Sequence, residues 1–109
     1  MKFFNEYQTL AARTIPAGLT GDRLFLNAVL GCSSEAGELA GEYKNVAFQG
    51  HIFDQNKAIE ELGDLLWYVA AAATALGATL ESVAAMNMVK LSLRYPDGFD
   101  PDRSVNRGE

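Results

Sequence analysis

Apolar residues recur along the chain at intervals of three and four positions, which is the period of an α-helix packed on one face. The pattern covers four segments, and it predicts helices over residues 3–14, 22–48, 57–76 and 80–95. Strict alternation of apolar and polar residues over a useful length is missing, and so is an Asn-Gly hairpin signal. The sequence therefore predicts an all-α, four-helix bundle-like domain.

Glycine, proline and threonine mark the ends of these helices. Gly50 and Gly77 follow the second and third helices as stop signals, and Thr79 is placed to cap the fourth. Residues 49–56 are expected to form the loop between the second and third helices. Pro96 and Pro101 predict an extended tail over residues 96–109. One domain spans residues 1–109, with a core of about 22–95.

Small residues indicate close contact between helices. Four consecutive alanines, 70–73, would let a neighbouring helix approach. Gly31, Gly37 and Gly41 each weaken the second helix by roughly 1 kcal/mol relative to alanine. Close packing would offset that cost, and a kink near Gly31 is the alternative.

Composition places the chain among folded, water-soluble domains. Apolar residues make up 49% and charged residues 21% of its 109 residues. The longest apolar run, 65–76, is too short to span a bilayer, and the N-terminus has no apolar signal-peptide core. A single cysteine excludes an internal disulfide framework. We therefore expect a cytoplasmic protein that does not bind membranes.

The net charge of −5 is concentrated in the middle of the chain. Residues 35–64 hold seven acidic and two basic residues, and the remainder is neutral. Nucleic-acid binding requires a basic surface, so nucleic acid is not the expected partner. A concentrated acidic segment favours a cation, although a solvated acidic face is the simpler alternative.

The acidic residues of the second helix share a face with apolar residues. At 100° per residue, Glu35, Glu38 and Glu42 fall within about 80° of Leu24 and Ala28. A purely solvated acidic face would lie on the opposite side of the helix. The acidic stripe is therefore predicted to point toward the protein interior.

The third helix repeats this arrangement. Glu61 and Asp64 fall on the same face as Leu65 and Tyr68, whereas Glu60 is turned away. Like charges gathered in an interior are costly unless they are protonated or neutralised by a metal. Carboxylate oxygens suit a hard cation, so the two acid pairs predict a site for Mg²⁺ or Mn²⁺.

The two acid pairs also carry a family resemblance. Glu35-Ala-Gly-Glu38 is followed after 22 residues by Glu61-Leu-Gly-Asp64, and the surrounding words are SEAGELAGEYK and EELGDLLWYV. The fourth helix adds NMVKLSLRY, an N-x-x-K-L-x-x-R-Y element. Over about residues 22–107 the chain resembles the MazG-like, all-α nucleoside triphosphate pyrophosphohydrolases.

This resemblance implies a reaction and a set of roles. Family members convert a nucleoside triphosphate or its deoxy form, with water, to the monophosphate and pyrophosphate. The metal ligands implied here are the four carboxylates Glu35, Glu38, Glu61 and Asp64, and Mg²⁺ is the implied cofactor, with Mn²⁺ as a possible substitute. Glu38 is our choice for the group that takes the proton from water. The resemblance also implies a homodimer or homotetramer.

A stripe on the fourth helix fits the same chemistry. Asn87, Lys90 and Arg94 fall on one face, beside Leu80. Two cations and an amide suit triphosphate oxygens that metal leaves uncovered. Ion pairing of these residues with the acids of the second and third helices is the alternative.

Other reactive or aromatic residues receive structural interpretations. The only histidine, His51, lacks a partner for metal binding, and Cys32 has no base beside it. Trp67 and Tyr68 are expected to pack in the interior or at a dimer contact, with stacking of one of them on a nucleobase as the alternative. Met86 and Met88 are expected to be packing residues. Two other function classes stay open. One is a catalytically silent nucleotide- or metal-binding regulatory protein on the same fold, and the other is a helical interaction module.

Overall fold

Five α-helices make up most of residues 2–106, the part of the chain that the computed structural model describes. Their bounds are α1 Lys2–Ala12, α2 Gly21–Phe48, α3 Gln55–Ala75, α4 Leu80–Arg94 and α5 Pro101–Val105. Apart from an isolated bridge between Pro96 and Gly98, the described residues form no β-structure. The predicted all-α class and the first four helices are confirmed, with ends shifted by one or two residues.

Side-chain caps and glycines account for the ends of the central helices. Thr79 accepts a hydrogen bond from the Ser82 amide at 3.0 Å, which confirms its capping role. Asp54 does the same for α3 through the Lys57 amide at 3.1 Å, so α3 begins two residues earlier than predicted. Gly50 and Gly77 take positive φ values of 73° and 70°, a conformation that favours glycine after a helix.

The prediction of a wholly extended tail was wrong. Pro101 opens the five-residue helix α5, and Asp100 caps it by accepting a hydrogen bond from the Asp102 amide at 3.0 Å. Proline suits the first position of a helix because its missing amide hydrogen has no partner to find there. The predicted tail's last residues, 107–109, lie outside the described part.

Small side chains form the contact between α2 and α3, the most extensive helix pairing of the fold. Ala28 of α2 and Ala71 of α3 are buried together with Leu24, and the ring of Tyr68 covers this cluster. That ring also lies against Gly31 so closely that a side chain at position 31 would overlap it. Close packing therefore explains Gly31. The inward position of Leu24 and Ala28 is confirmed, whereas Glu38 on the same predicted stripe is exposed.

Helix α1 holds the turn between α3 and α4. The Gln8 amide donates to Thr74 Oγ1 and to the Ala78 carbonyl at 3.1 and 3.0 Å, and its oxygen accepts from the Leu80 amide at 2.6 Å. Asn5 donates to a carboxylate oxygen of Glu81 at 3.1 Å. These contacts fix the turn, after which α4 continues at 99° to α3.

A single copy leaves much apolar surface in contact with solvent. Its radius of gyration is 16.9 Å, whereas a compact chain of this length has about 13 Å. Leu30 on the outer face of α2 is 60% exposed, and Met86 and Met88 on α4 are 75% and 66% exposed. Both methionines therefore pack little within the single chain, because α4 projects away from the α2–α3 pair, and their packing against a second copy stays a prediction.

The helices were also compared with the requirements of a membrane span. Within residues 2–106, no single helix has both the length and the apolar composition needed to cross a bilayer. Helices α3 and α4 meet the requirement only when joined, across their 99° bend.

Candidate metal centre

Three carboxylates meet where α2 and α3 face each other. Glu35 and Glu38 lie one turn apart on α2, and Glu61 reaches them from α3. One oxygen from each of the three lies within 4.8 Å of the others. The structure thus brings together three of the four predicted ligands and places Glu60 on the exposed side of α3, as predicted.

Two oxygens in this group are buried without a hydrogen bond. Glu35 Oε2 and Glu61 Oε2 have no donor within reach among the described residues. A buried acceptor without a partner is costly, and a buried negative charge more so. A divalent cation would compensate both oxygens, since Mg²⁺ binds carboxylate oxygens readily. The donor set therefore fits a hard cation.

The pKa of Glu61 is raised to about 7 from an ordinary value of 4.5. The largest cause is removal of its carboxylate from water. A proton on Glu61 can be shared in hydrogen bonds with the side chains of Glu35 and Glu38, which raises the pKa further, as do the negative charges of Glu38 and Glu42. Without metal, the cluster is therefore most stable when it holds a proton.

This pKa shift predicts the pH dependence of the metal-free protein. Between about pH 4.5 and pH 7 the folded protein keeps a proton that unfolded Glu61 has lost, so folding stability falls as pH rises through that range. We expect Glu61→Gln to remove this part of the pH dependence. Melting temperatures of both proteins in chelator from pH 5 to 8 provide the test, and parallel curves would contradict the expectation.

Asp64, the fourth predicted ligand, does not join this group of oxygens. It is exposed, one turn beyond Glu61 on α3. Its negative charge acts on Tyr7 of α1, whose pKa is raised mainly by burial and secondarily by Asp64. Asp64 therefore lies toward α1, and its role as a metal ligand stays a prediction.

The predicted phosphate-binding residues lie on α4. Asn87 and Lys90 are exposed and Arg94 is half-buried. Lys90 makes no ion pair with any residue of the described chain, so the structure gives no support to a neutralising role for it. The backbone carbonyl of Arg94 accepts a hydrogen bond from the Arg103 side chain at 3.5 Å. Their contact with phosphate stays a prediction.

An ion pair that the sequence analysis did not predict lies beside the carboxylates. Lys57 Nζ lies 3.2 Å from Glu42 Oε1, joining α3 to α2 one turn from Glu61. This contact is the main cause of the raised pKa of Lys57. The signal was present, because Glu42 lies on the acidic stripe and Lys57 precedes Glu61 by four residues.

The aromatic residue Trp67 lies against the interior, whereas His51 lies at the surface. Trp67 packs against both buried clusters and donates its indole hydrogen to Thr14 Oγ1 at 2.8 Å, so its interior role is confirmed. Cys32 is half-buried and unpaired. His51 is exposed at the loop between α2 and α3, where it lines a cavity.

Comparison with known proteins relates this site to a family. The family model of the MazG nucleotide pyrophosphohydrolase domain matches residues 25–99, which include all the predicted site residues. The chain is also similar to the Gene 37 protein of Mycobacterium phage L5, with 35% identity over an alignment of 82 positions that covers 72% of each protein. No solved structure gives a significant match.

Proposed function

Because the chain belongs to the MazG nucleotide pyrophosphohydrolase family, we propose that it hydrolyses ribo- or deoxyribonucleoside triphosphates to the monophosphate and pyrophosphate. The observation that supports this most strongly is the group of three carboxylates with two buried, unpartnered oxygens. The proposed role is removal of free nucleotides from the cytoplasmic pool.

The proposed ligands for Mg²⁺, or for Mn²⁺ as a substitute, are Glu35, Glu38, Glu61 and Asp64. When bound, the metal would neutralise triphosphate charge and make a bound water more acidic. Glu35 and Glu61 offer the buried oxygens, whereas Glu38 is exposed. We assign Glu38 the second task of taking the proton from the attacking water, because its carboxylate is open to solvent.

The proposed phosphate contacts come from α4. Asn87, Lys90 and Arg94 carry hydrogen-bond donors, and two of them are cations that form strong contacts with phosphate oxygens. Lys90 is exposed and has no ion pair among the described residues, so its ammonium group is available to a ligand. These side chains would hold the triphosphate while the carboxylates act on it.

We further propose that the active protein is a homodimer or homotetramer. The exposed apolar residues of α2 and α4 and the extended shape of one copy favour burial against a second copy. Light scattering is expected to give the mass of two or four chains, and Leu30→Glu is expected to reduce that mass. A wild-type mass near 11.8 kDa at micromolar concentration would contradict this proposal.

One assay tests the proposed reaction. Each of the eight common nucleoside and deoxynucleoside triphosphates is incubated with the protein and Mg²⁺, and both monophosphate and pyrophosphate are measured. Equal amounts of the two products, dependent on Mg²⁺, are expected for at least one substrate. Binding of nucleotide and Mg²⁺ without turnover would instead indicate a silent regulatory protein.

A further inference from the structure

A cavity of about 350 Å³ lies at the hairpin end of α2 and α3. Its walls come from the last turns of α2, the connecting loop and the first turn of α3. The volume falls within the range of small-molecule pockets, roughly 300–1,000 Å³. None of the three carboxylates of the metal centre lines it.

The cavity lies beside the three carboxylates, about one helical turn away along both α2 and α3. Glu42 lines it and follows Glu38 by four residues, about 6 Å along the helix axis. Lys57 lines it from the other side and precedes Glu61 by four residues. The ion pair between Glu42 and Lys57 therefore stands between cavity and carboxylates. A ligand whose phosphates lie at the carboxylates has its neighbouring group within reach of the cavity.

The lining residues suit a planar, uncharged group. Tyr43 and Phe53 form an edge-to-face pair with ring centroids 5.8 Å apart, and both rings are at least half exposed. Asn45 adds an amide that makes no hydrogen bond to any other described residue, so it offers both a donor and an acceptor. Aromatic surface with one amide is what a nucleobase requires.

Charge excludes the phosphates from this cavity. Glu42 and Asp54 line it with a single lysine, Lys57, so its formal charge is negative. Neither Glu42 nor Asp54 belongs to the carboxylate group that fits a metal ion. A polyphosphate placed here would therefore be repelled by both carboxylates, and the one lysine is already paired with Glu42. An aromatic base or a sugar meets no such penalty.

We infer that this cavity binds the nucleoside part of the substrate, with the base on Tyr43 and Phe53 and its edge on Asn45. The inference rests on the proposed function, because the metal centre must hold the phosphates for the base to reach the cavity. It also assigns base preference to the loop after α2, a segment that the metal centre does not use.

The experiment compares two ligands that both carry three linked phosphates, of which only one carries a nucleoside. Calorimetry with Mg²⁺ measures binding of α,β-methylene nucleoside triphosphates, which resist cleavage, and of inorganic tripolyphosphate. Phe53→Ala is expected to weaken nucleotide binding about 10- to 100-fold, since base stacking on an aromatic ring has about this effect. Tripolyphosphate affinity is expected to stay within twofold.

Matched variants keep the test decisive. Phe3→Ala removes a similarly exposed phenylalanine on α1 and is expected to leave both affinities unchanged. Tyr43→Ala provides a second route if Phe53→Ala does not fold, and it is expected to show the same selective loss. Asn45→Ala is expected to change which of the four bases binds most tightly and to leave the affinity for tripolyphosphate unchanged.

Four results would overturn the inference. Unchanged nucleotide binding in the Phe53 and Tyr43 variants would show that the base lies elsewhere. Equal losses for tripolyphosphate would make the cavity a phosphate site, and a smaller oligomer mass would make it an interface between copies. If the wild-type protein binds neither ligand, the proposed function fails together with this inference. If the wild-type protein binds tripolyphosphate but the variants show no selective loss of nucleotide binding, only this inference fails.

Discussion

Replacing Glu38 by glutamine is expected to reduce kcat about 100-fold or more and to weaken Mg²⁺ binding. The substitution keeps the shape of the side chain but removes a negative charge from a group in which three carboxylate oxygens lie within 4.8 Å of one another. A metal that stabilises developing charge contributes several kcal/mol to such a reaction, so loss of one ligand is expected to cost orders of magnitude. Asp64→Asn is expected to have a similar effect.

Glu60→Gln is the matched control for this prediction. Glu60 precedes Glu61 directly but is exposed and lies outside the carboxylate group. We expect its substitution to leave kcat and Mg²⁺ affinity within about twofold, because Glu60 is turned away from the proposed ligands, which include Asp64, and an exposed charge that binds no ligand contributes little. Steady-state kinetics and Mg²⁺ calorimetry on all three variants provide the comparison. Equal losses for Glu38 and Glu60 would show that the carboxylate group is not the metal site.

The metal-free protein gives an independent measure of the same cluster. Glu38→Gln removes one of the charges that raise the pKa of Glu61. We therefore expect the variant, in chelator at pH 8, to melt at a higher temperature than the wild type, because like-charge repulsion is relieved. A stability gain together with lost activity would separate a functional role of Glu38 from a structural one.

Substitution of Lys90 by alanine is expected to lower kcat/KM about 10- to 150-fold while leaving the fold intact. A charge-assisted hydrogen bond contributes about 1.5–3 kcal/mol, which corresponds to that range. Lys90 is exposed and has no ion pair within the described residues, so its removal leaves no buried charged group without a partner. Arg94→Ala is expected to produce a loss of similar size.

Melting temperature and kcat/KM of both variants, measured at low and saturating Mg²⁺, distinguish two roles. If the cations bind phosphate, the kinetic loss persists at saturating metal. If they only neutralise the acidic residues, the metal-free variants are destabilised, and Mg²⁺ restores both stability and activity. Full rescue by Mg²⁺ would contradict the phosphate-binding role.

The sequence predicted the helices and their faces well, because both depend on local patterns. Threonine and glycine placed the ends of α3 and α4, and the mixture of acids with Leu24 and Ala28 identified the inward face of α2. The same reasoning correctly predicted that Glu60 lies on the exposed side of α3. Each of these inferences uses neighbours within one or two helical turns, where helix geometry is fixed.

Features that depend on how helices meet were not predictable from one helix at a time. A helical angle assigns a residue to a face but not to a level along the partner helix. For this reason the helical angles predict Asp64 and Glu61 as equal ligands, although only Glu61 reaches the carboxylates of α2. The cavity beside Asn45 likewise depends on the loop conformation at Gly50, which periodicity does not encode.

The position of bond cleavage tests the central claim most directly. The protein is incubated with Mg²⁺ and its best nucleoside triphosphate in water enriched in ¹⁸O, and the products are analysed by mass spectrometry. Attack at the α-phosphorus predicts one ¹⁸O in the monophosphate and none in the pyrophosphate. Release of inorganic phosphate and a nucleoside diphosphate as the main products would contradict the proposed reaction.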